Sequence, residues 1–161
     1  MDAIQLLTDQ HRMLEERFDA AVEATDPRER AALAAEAGDQ LAVHVAAEEE
    51  LFYPAVKARR TEDILLESLE EHLSLKRLLA DLLDLPDDDS TYEAKLKVLR
   101  EQAEHHHREE EEHLFPQVRK CVPAADLEAL GVEMLARQKQ LLREGQPREA
   151  MAEQTEKAAA L

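Results

Sequence analysis

The chain has one cysteine, three glycines and a shortage of basic residues. The single thiol, Cys121, excludes an internal disulfide and is compatible with a reducing compartment. With only three glycines and 44% hydrophobic content over 161 residues, helices throughout one domain of ordinary size are expected. No stretch approaches the roughly 20 apolar residues that span a bilayer, and MDAIQLLTDQH at the N-terminus has no basic segment before an apolar run. Neither export nor membrane insertion is expected, which leaves a cytoplasmic location. The 20 Lys and Arg against 37 Asp and Glu give a formal net charge of −17, which argues against binding nucleic acid or anionic lipid through general electrostatics.

What is present is a repeat. His44-x3-Glu48-x5-Pro54, within HVAAEEELFYP, returns as His106-x3-Glu110-x5-Pro116, within HHREEEEHLFP. The i, i+4 spacing puts imidazole and carboxylate on one helical face, where a transition metal that accepts nitrogen and oxygen donors can take both. Two such faces suit two metals.

The surrounding periodicity turns these faces inward. Ile4, Leu7, His11, Leu14 and Phe18 follow steps of three and four, so His11 replaces a core residue. Leu33, Ala37, Leu41, His44, Glu48 and Phe52 form a second stripe, and Leu65, Leu69, His72, Leu79 and Leu83 a third. In the fourth, Tyr92, Leu96, Leu99, Ala103, His106 and Glu110 select His106 from the triplet His105-His106-His107. His105, His107 and His113 are expected at the surface, and Glu49, Glu50, Glu109, Glu111 and Glu112 on solvated faces. Burying four imidazoles and two carboxylates without a compensating cation costs several kcal/mol per unpaired charge, so a purely structural role for the set is disfavoured.

A coarse pass predicts helices near 2–24, 28–59, 61–85 and 91–121, with a loop at Pro86–Ser90 and Thr61 or Glu62 as a cap. Pro54 and Pro116 are expected to kink or end the two metal-bearing helices. Short connections make successive helices antiparallel neighbours, so the fold class is all-α: an up-down four-helix bundle over 1–122 with a docking helix at 123–144. The apolar residues of that helix, Leu127, Leu130, Met134, Leu135 and Leu142, are suited to the bundle or to a second chain. The tail, 145–161, has a weak apolar face and is expected to fray.

DQH at 9–11, HVAAEEELFYP at 44–54, EEH at 70–72 and HHREEEEHLFP at 106–116 together resemble the hemerythrin-like family, also called the HHE cation-binding domain. Its pattern is H…HxxxE…H…HxxxE on a four-helix bundle, and the likeness covers about residues 1 to 120. Short stand-alone bacterial members are similar in length, in the tyrosine before the first proline and in the acidic-leucine helix at 126–143. The resemblance implies a non-haem centre of two iron ions (Fe2+/Fe3+), oxo- or hydroxo-bridged. Glu48 and Glu110 would bridge, with His11 and His44 on one iron and His72 and His106 on the other; a di-zinc or di-manganese site is the competing reading.

One departure bears on function. Oxygen-carrying hemerythrins place a second histidine four residues after the third-helix histidine, where this chain has Lys76. The internal repeat offers another donor, because Tyr53 precedes Pro54 where Phe115 precedes Pro116. Tyr53 lies about 140° from Glu48 on an ideal helix, so a local distortion near Pro54 is needed for its hydroxyl to reach a metal. Lys76 itself fits either an ordinary amphipathic position or a role beside bound oxygen species. The expected function is peroxide disproportionation of the catalase type. Carriage or sensing of O2 or NO, and sensing or delivery of iron, are the alternatives, for a monomer or weak homo-oligomer.

Overall fold

The computed structural model describes all 161 residues and contains no strand. Helix α1 spans Ala3–Glu23 and α2 spans Pro27–Ala47; α2 then widens into a π-helical turn, π1 (Glu48–Phe52), and runs on as the short α3 (Tyr53–Val56). After α4 (Glu62–Asp84), the second half repeats the device: α5 (Tyr92–Glu109), π2 (Glu110–Leu114) and α6 (Phe115–Cys121). Two further helices follow, α7 (Ala124–Glu144) and α8 (Pro147–Ala152).

Local chemistry sets these limits. Asp2 accepts from the Gln5 backbone N–H at 2.9 Å while the Gln5 side chain accepts from the Asp2 N–H at 3.0 Å, a reciprocal cap that opens α1. Asp26 caps α2, with Pro27 in its first turn, where the missing N–H costs nothing. Thr61 stands at the head of α4, but its hydroxyl closes the preceding turn instead, accepting from the Ala58 N–H and donating to the Val56 carbonyl, each at 2.8 Å.

The prolines neither kink nor end the two helices that carry the His-x3-Glu motifs by themselves. A proline at 54 or 116 has no N–H for the carbonyl four residues back, and its ring would collide with that carbonyl. The wide turn relieves this: the Tyr53 N–H donates to the Glu48 carbonyl and the Phe115 N–H to the Glu110 carbonyl, five residues back in each case. Each helix continues past its carboxylate with the following side chain swung inward.

Helix α1 packs on α2 and α5, and α4 packs on α5. The inward histidines and glutamates form a polar layer between two apolar clusters. One contains Ile4, Leu7, Phe52, Tyr53, Leu69, Leu114 and Phe115, and the other Leu14, Phe18, Leu41, Leu75, Leu79, Leu96 and Leu99. In the third stripe the expected Leu83 is exposed and Leu82 is buried in its place.

Helix α7 docks on the bundle against α1, α2 and π1. Leu127, Leu130 and Met134 are buried there, whereas Leu135 and Leu142, expected on the same face, are exposed. Gly131 permits the approach, because a Cβ at that position would lie 2.9 Å from backbone atoms of Met1, Asp2 and Ala3. The tail, for which fraying is expected, lies against the bundle in the structure. Met151 of α8 is buried, Ala158, Ala159 and Leu161 pack against the core, and Arg77 donates to the backbone carbonyl of Thr155 at 3.0 Å. A weak apolar face suffices here because the preceding Gly145-Gln146 turn, with both residues at positive φ, folds the tail back against α2 and α4.

Candidate metal centre

All six residues singled out from the repeat and its stripes, His11, His44, Glu48, His72, His106 and Glu110, are buried and converge on one layer. Glu48 divides its oxygens between two pockets: Oε1 lies 3.2 Å from His44 Nε2, and Oε2 lies 3.1 Å from His72 Nε2. Glu110 sits between them as well, with Oε1 3.3 Å from both His11 Nε2 and His106 Nε2. Two carboxylates that each touch a histidine on either side place oxygen between nitrogen donors, an arrangement suited to metal cations.

Tyr53 joins this layer. Its hydroxyl donates to Glu110 Oε2 at 3.0 Å and lies 3.2 Å from His72 Nε2, which itself is 3.0 Å from His106 Nε2. The π1 turn provides the distortion that an ideal helix lacks. Burial, together with the negative charges of Glu110 and Glu48, holds the Tyr53 hydroxyl well above its usual range, so the phenol keeps its proton while no cation is present.

His107 is the residue that periodicity misplaced. It is 5% exposed and stacks on His11 with ring centroids 4.0 Å apart, its ring edge-on to His44 at 5.2 Å. His11, His44 and His107 bring three ring nitrogens within 4.8 Å of one another. The rhythm that picked His106 also permits Ala103, His107, Glu110 and Leu114, again steps of four and three. Helix α5 faces both α1 and α4, so its buried sector is wide enough for two adjacent histidines. His105 and His113 are exposed as expected. Burial, with the charges of His11, His44 and His106, keeps His107 well below the ordinary imidazole range, so its ring is neutral with a lone pair to offer.

The outer nitrogens face polar groups as well. His106 Nδ1 and His44 Nδ1 are hydrogen-bonded, to Glu71 at 3.0 Å and to Gln10 Oε1 at 2.9 Å, while His72 Nδ1 and His11 Nδ1 lie near Glu49 at 3.4 Å and Glu111 at 3.7 Å without a hydrogen bond. Glu49 and Glu111 are therefore half-buried partners of histidines and do not belong to a solvated face. Each of the two carries a cation: Lys76 Nζ, itself buried, bonds Glu49 at 2.5 Å, and Arg12 bonds Glu111 at 2.7 Å. Lys76 thus serves the outer rim of His72 and adds no donor to the pocket. Glu49, Glu71 and Glu111 each adjoin a motif residue in sequence, as Gln10 does, but nothing in the apolar periodicity distinguishes such neighbours from surface acids.

Burial works to raise the Glu48 carboxyl, and the imidazoles of His44, His106 and His72 overcome it and hold it well below the usual range. Many donor atoms nevertheless have no hydrogen-bond partner: His11 Nε2, His44 Nε2, His107 Nε2, both Glu48 oxygens and Glu110 Oε1. A buried layer of unsatisfied nitrogen and oxygen lone pairs, facing one another at 3.2–3.3 Å, fits cations between them.

The sequence pattern of the hemerythrin HHE cation binding domain matches residues 2–118. The chain belongs to that family. It is also similar, at 27% identity and a TM-score of 0.79, to the crystal structure of a hemerythrin HHE cation binding domain-containing protein from Mycobacterium kansasii; the match covers 95% of this chain and 98% of the other. A comparison with curated proteins finds no match. Metal-cation binding through the His/Glu clusters follows from the family and the donor groups together. No helix is long and apolar enough to cross a membrane.

Proposed function

We propose that the protein is a non-haem di-iron protein that disproportionates peroxide. In this reading His11, His44 and His107 hold one iron, His72, His106 and Tyr53 hold the other, and Glu48 and Glu110 are shared by both. The donor set contains nitrogen and oxygen but no thiolate, which suits iron, manganese or zinc over softer ions. The observation that carries the reading towards iron and peroxide is the Tyr53 hydroxyl inside the layer. An anionic phenolate is a hard donor that favours the ferric state, and it makes the two pockets chemically unequal.

Held by these residues, a pair of irons would supply two-electron redox chemistry, which is what peroxide disproportionation requires: one peroxide is oxidised to O2 and another is reduced to two waters, 2 H2O2 giving 2 H2O and O2. The protein supplies position, dryness and proton handling. Glu48 and Glu110 fix the spacing of the pockets, and the two apolar clusters above and below keep bulk water out. A polar cleft of about 270 Å³, lined by His11, Arg12, Glu104, His107 and Glu111 among others, leads from the surface between α1 and α5 to the rings of His11 and His107. Peroxide is itself a polar hydrogen-bonding molecule and suits such a path. The oxidised peroxide releases two protons and the reduced one takes up two. Glu104, raised above its ordinary range by burial and by Asp19 and Glu15 nearby, is a carboxyl on that path suited to carry them.

The test is to load the purified chain with iron, count the metal, record the optical spectrum and measure oxygen evolved on adding peroxide. Two irons per chain with evolution well above an equal amount of free iron support the reading; evolution equal to free iron sinks it. Tyr53→Phe removes a phenolate-to-iron charge-transfer band if Tyr53 ligates, while leaving the iron count nearly unchanged. A second reading, reversible carriage or sensing of O2 or NO, draws support from the three imidazoles of the first pocket, which resemble a coordinatively saturated iron. It predicts a reversible, oxygen-dependent spectrum and no net peroxide loss.

A further inference from the structure

Three of the five buried imidazoles have a carboxylate at the outer nitrogen, but His44 has the neutral amide of Gln10. The difference matters. A carboxylate presents an oxygen whichever way it turns, whereas an amide presents either an oxygen or an NH2 group. Only the oxygen accepts from Nδ1–H and leaves the His44 Nε2 lone pair directed at the pocket. Gln10 is held in turn by a residue far along the chain. Its Nε2 donates to Gln138 Oε1 at 2.7 Å, and Gln138 Nε2 donates to Gln10 Oε1 at 2.9 Å. This amide pair is satisfied by two arrangements, related by turning both amides over, and the one observed sets Gln10 Oε1 against His44 Nδ1.

Gln138 is 3% exposed on α7, beyond the family-matched span of 2–118. A polar side chain there, on a helix that docks otherwise through Leu127, Leu130 and Met134, calls for an explanation that packing does not provide. The preceding residue of α7 acts on the same region: Arg137 donates to Glu50 Oε2 at 2.6 Å, two residues after Glu48 on π1. Helix α7 therefore grips both helices that furnish His11, His44 and Glu48.

We infer that Gln138 is a positioning residue for the first pocket, holding the Gln10 amide against His44 so that the cation in that pocket is retained. The inference rests on the reading of His44 as a metal ligand. Outer hydrogen-bond partners of metal-bound histidines typically govern metal affinity by 10- to 100-fold.

The experiment uses the full-length iron-loaded protein and follows iron transfer to an excess of chelator. Gln138→Met keeps the length of the side chain and its packing but loses both hydrogen bonds. One of the two irons should leave about tenfold faster than in the parent, with the other unchanged. Met134→Ala loosens the same helix without touching the amide pair, and it should lower the melting temperature while leaving both release rates near the parent values. Should Gln138→Met fail to fold, Gln10→Met, at a half-buried site on α1, removes the same link. His44→Ala separates the two readings. If His44→Ala retains two irons, the assignment of the pocket is wrong. If His44→Ala loses one iron and Gln138→Met releases iron at the parent rate, the pocket stands and the role of Gln138 falls. Equal acceleration of both irons, or the same acceleration in Met134→Ala, also overturns it, since either result reports general loosening.

Discussion

The two halves of the bundle carry the same eleven-residue device with different cargo. An offset of 62 residues takes His44 to His106, Glu48 to Glu110, Tyr53 to Phe115 and Pro54 to Pro116, and both copies relax through a π turn. The aromatic residue after each turn packs on a histidine from another helix: Tyr53 on His72 with ring centroids 5.4 Å apart, and Phe115 on His11 at 5.8 Å. From this common frame the copies diverge. The first copy sends a hydroxyl to the pocket of His72 and His106, and the second sends an additional imidazole, His107, to the pocket of His11 and His44. The appended α7 packs on the α2 and π1 segments of the first copy. A pseudo-symmetric scaffold thus produces two unequal pockets by one substitution in each repeat.

The greatest effect is expected from removing what the halves share. On the proposed di-iron reading, Glu48→Ala, which takes an oxygen from both pockets, should lower bound iron from about two per chain to less than one, as counted by metal analysis. Chelation of the parent should lower the melting temperature by on the order of 10 °C, because a cation bound only by the folded bundle stabilises it by linkage and its loss leaves the donor layer unsatisfied. An unchanged melting temperature would mean that the layer does not hold metal strongly. Next come the changes that separate the halves. His107→Ala should reduce the count towards one iron, whereas Tyr53→Phe should keep the count near two and change the spectrum. Equal losses in both variants would mean that the pockets are not distinct.

Smaller effects test the unequal cover. Gly131→Ala forces a methyl group against the backbone of Met1, Asp2 and Ala3, and should destabilise the protein by about 1–3 kcal/mol in chemical denaturation, chiefly by lifting α7. A neutral result would mean that α7 is docked more loosely than the contacts imply. Asp2→Ala removes the cap of α1 and its ion pair with Arg119, and should cost about 1 kcal/mol by the same measurement with no change in iron content. A loss of iron from that variant would show that the start of α1 positions His11 more directly than its distance suggests.

Much of this molecule was legible before its fold was known. The three-four spacing of Ile4, Leu7, His11, Leu14 and Phe18 determined that His11 faces the core, and the doubled His-x3-Glu spacing determined two donor pairs on inward faces. Both are properties of helical period alone, as is the succession of helices bounded by Asp26-Pro27, Pro86–Ser90 and Pro123. Tertiary structure decided what period cannot. His107 lies about 100° from His106 on an ideal helix, and whether that direction is solvent or core depends on which helices flank α5. The inward swing of Tyr53 depends on a π turn whose closing bond the apolar pattern does not encode. Gln10 and Gln138, 128 residues apart, have no shared signal in the chain, because a buried amide pair is chosen by the groups that meet it when α7 docks, and those groups are neighbours only in space.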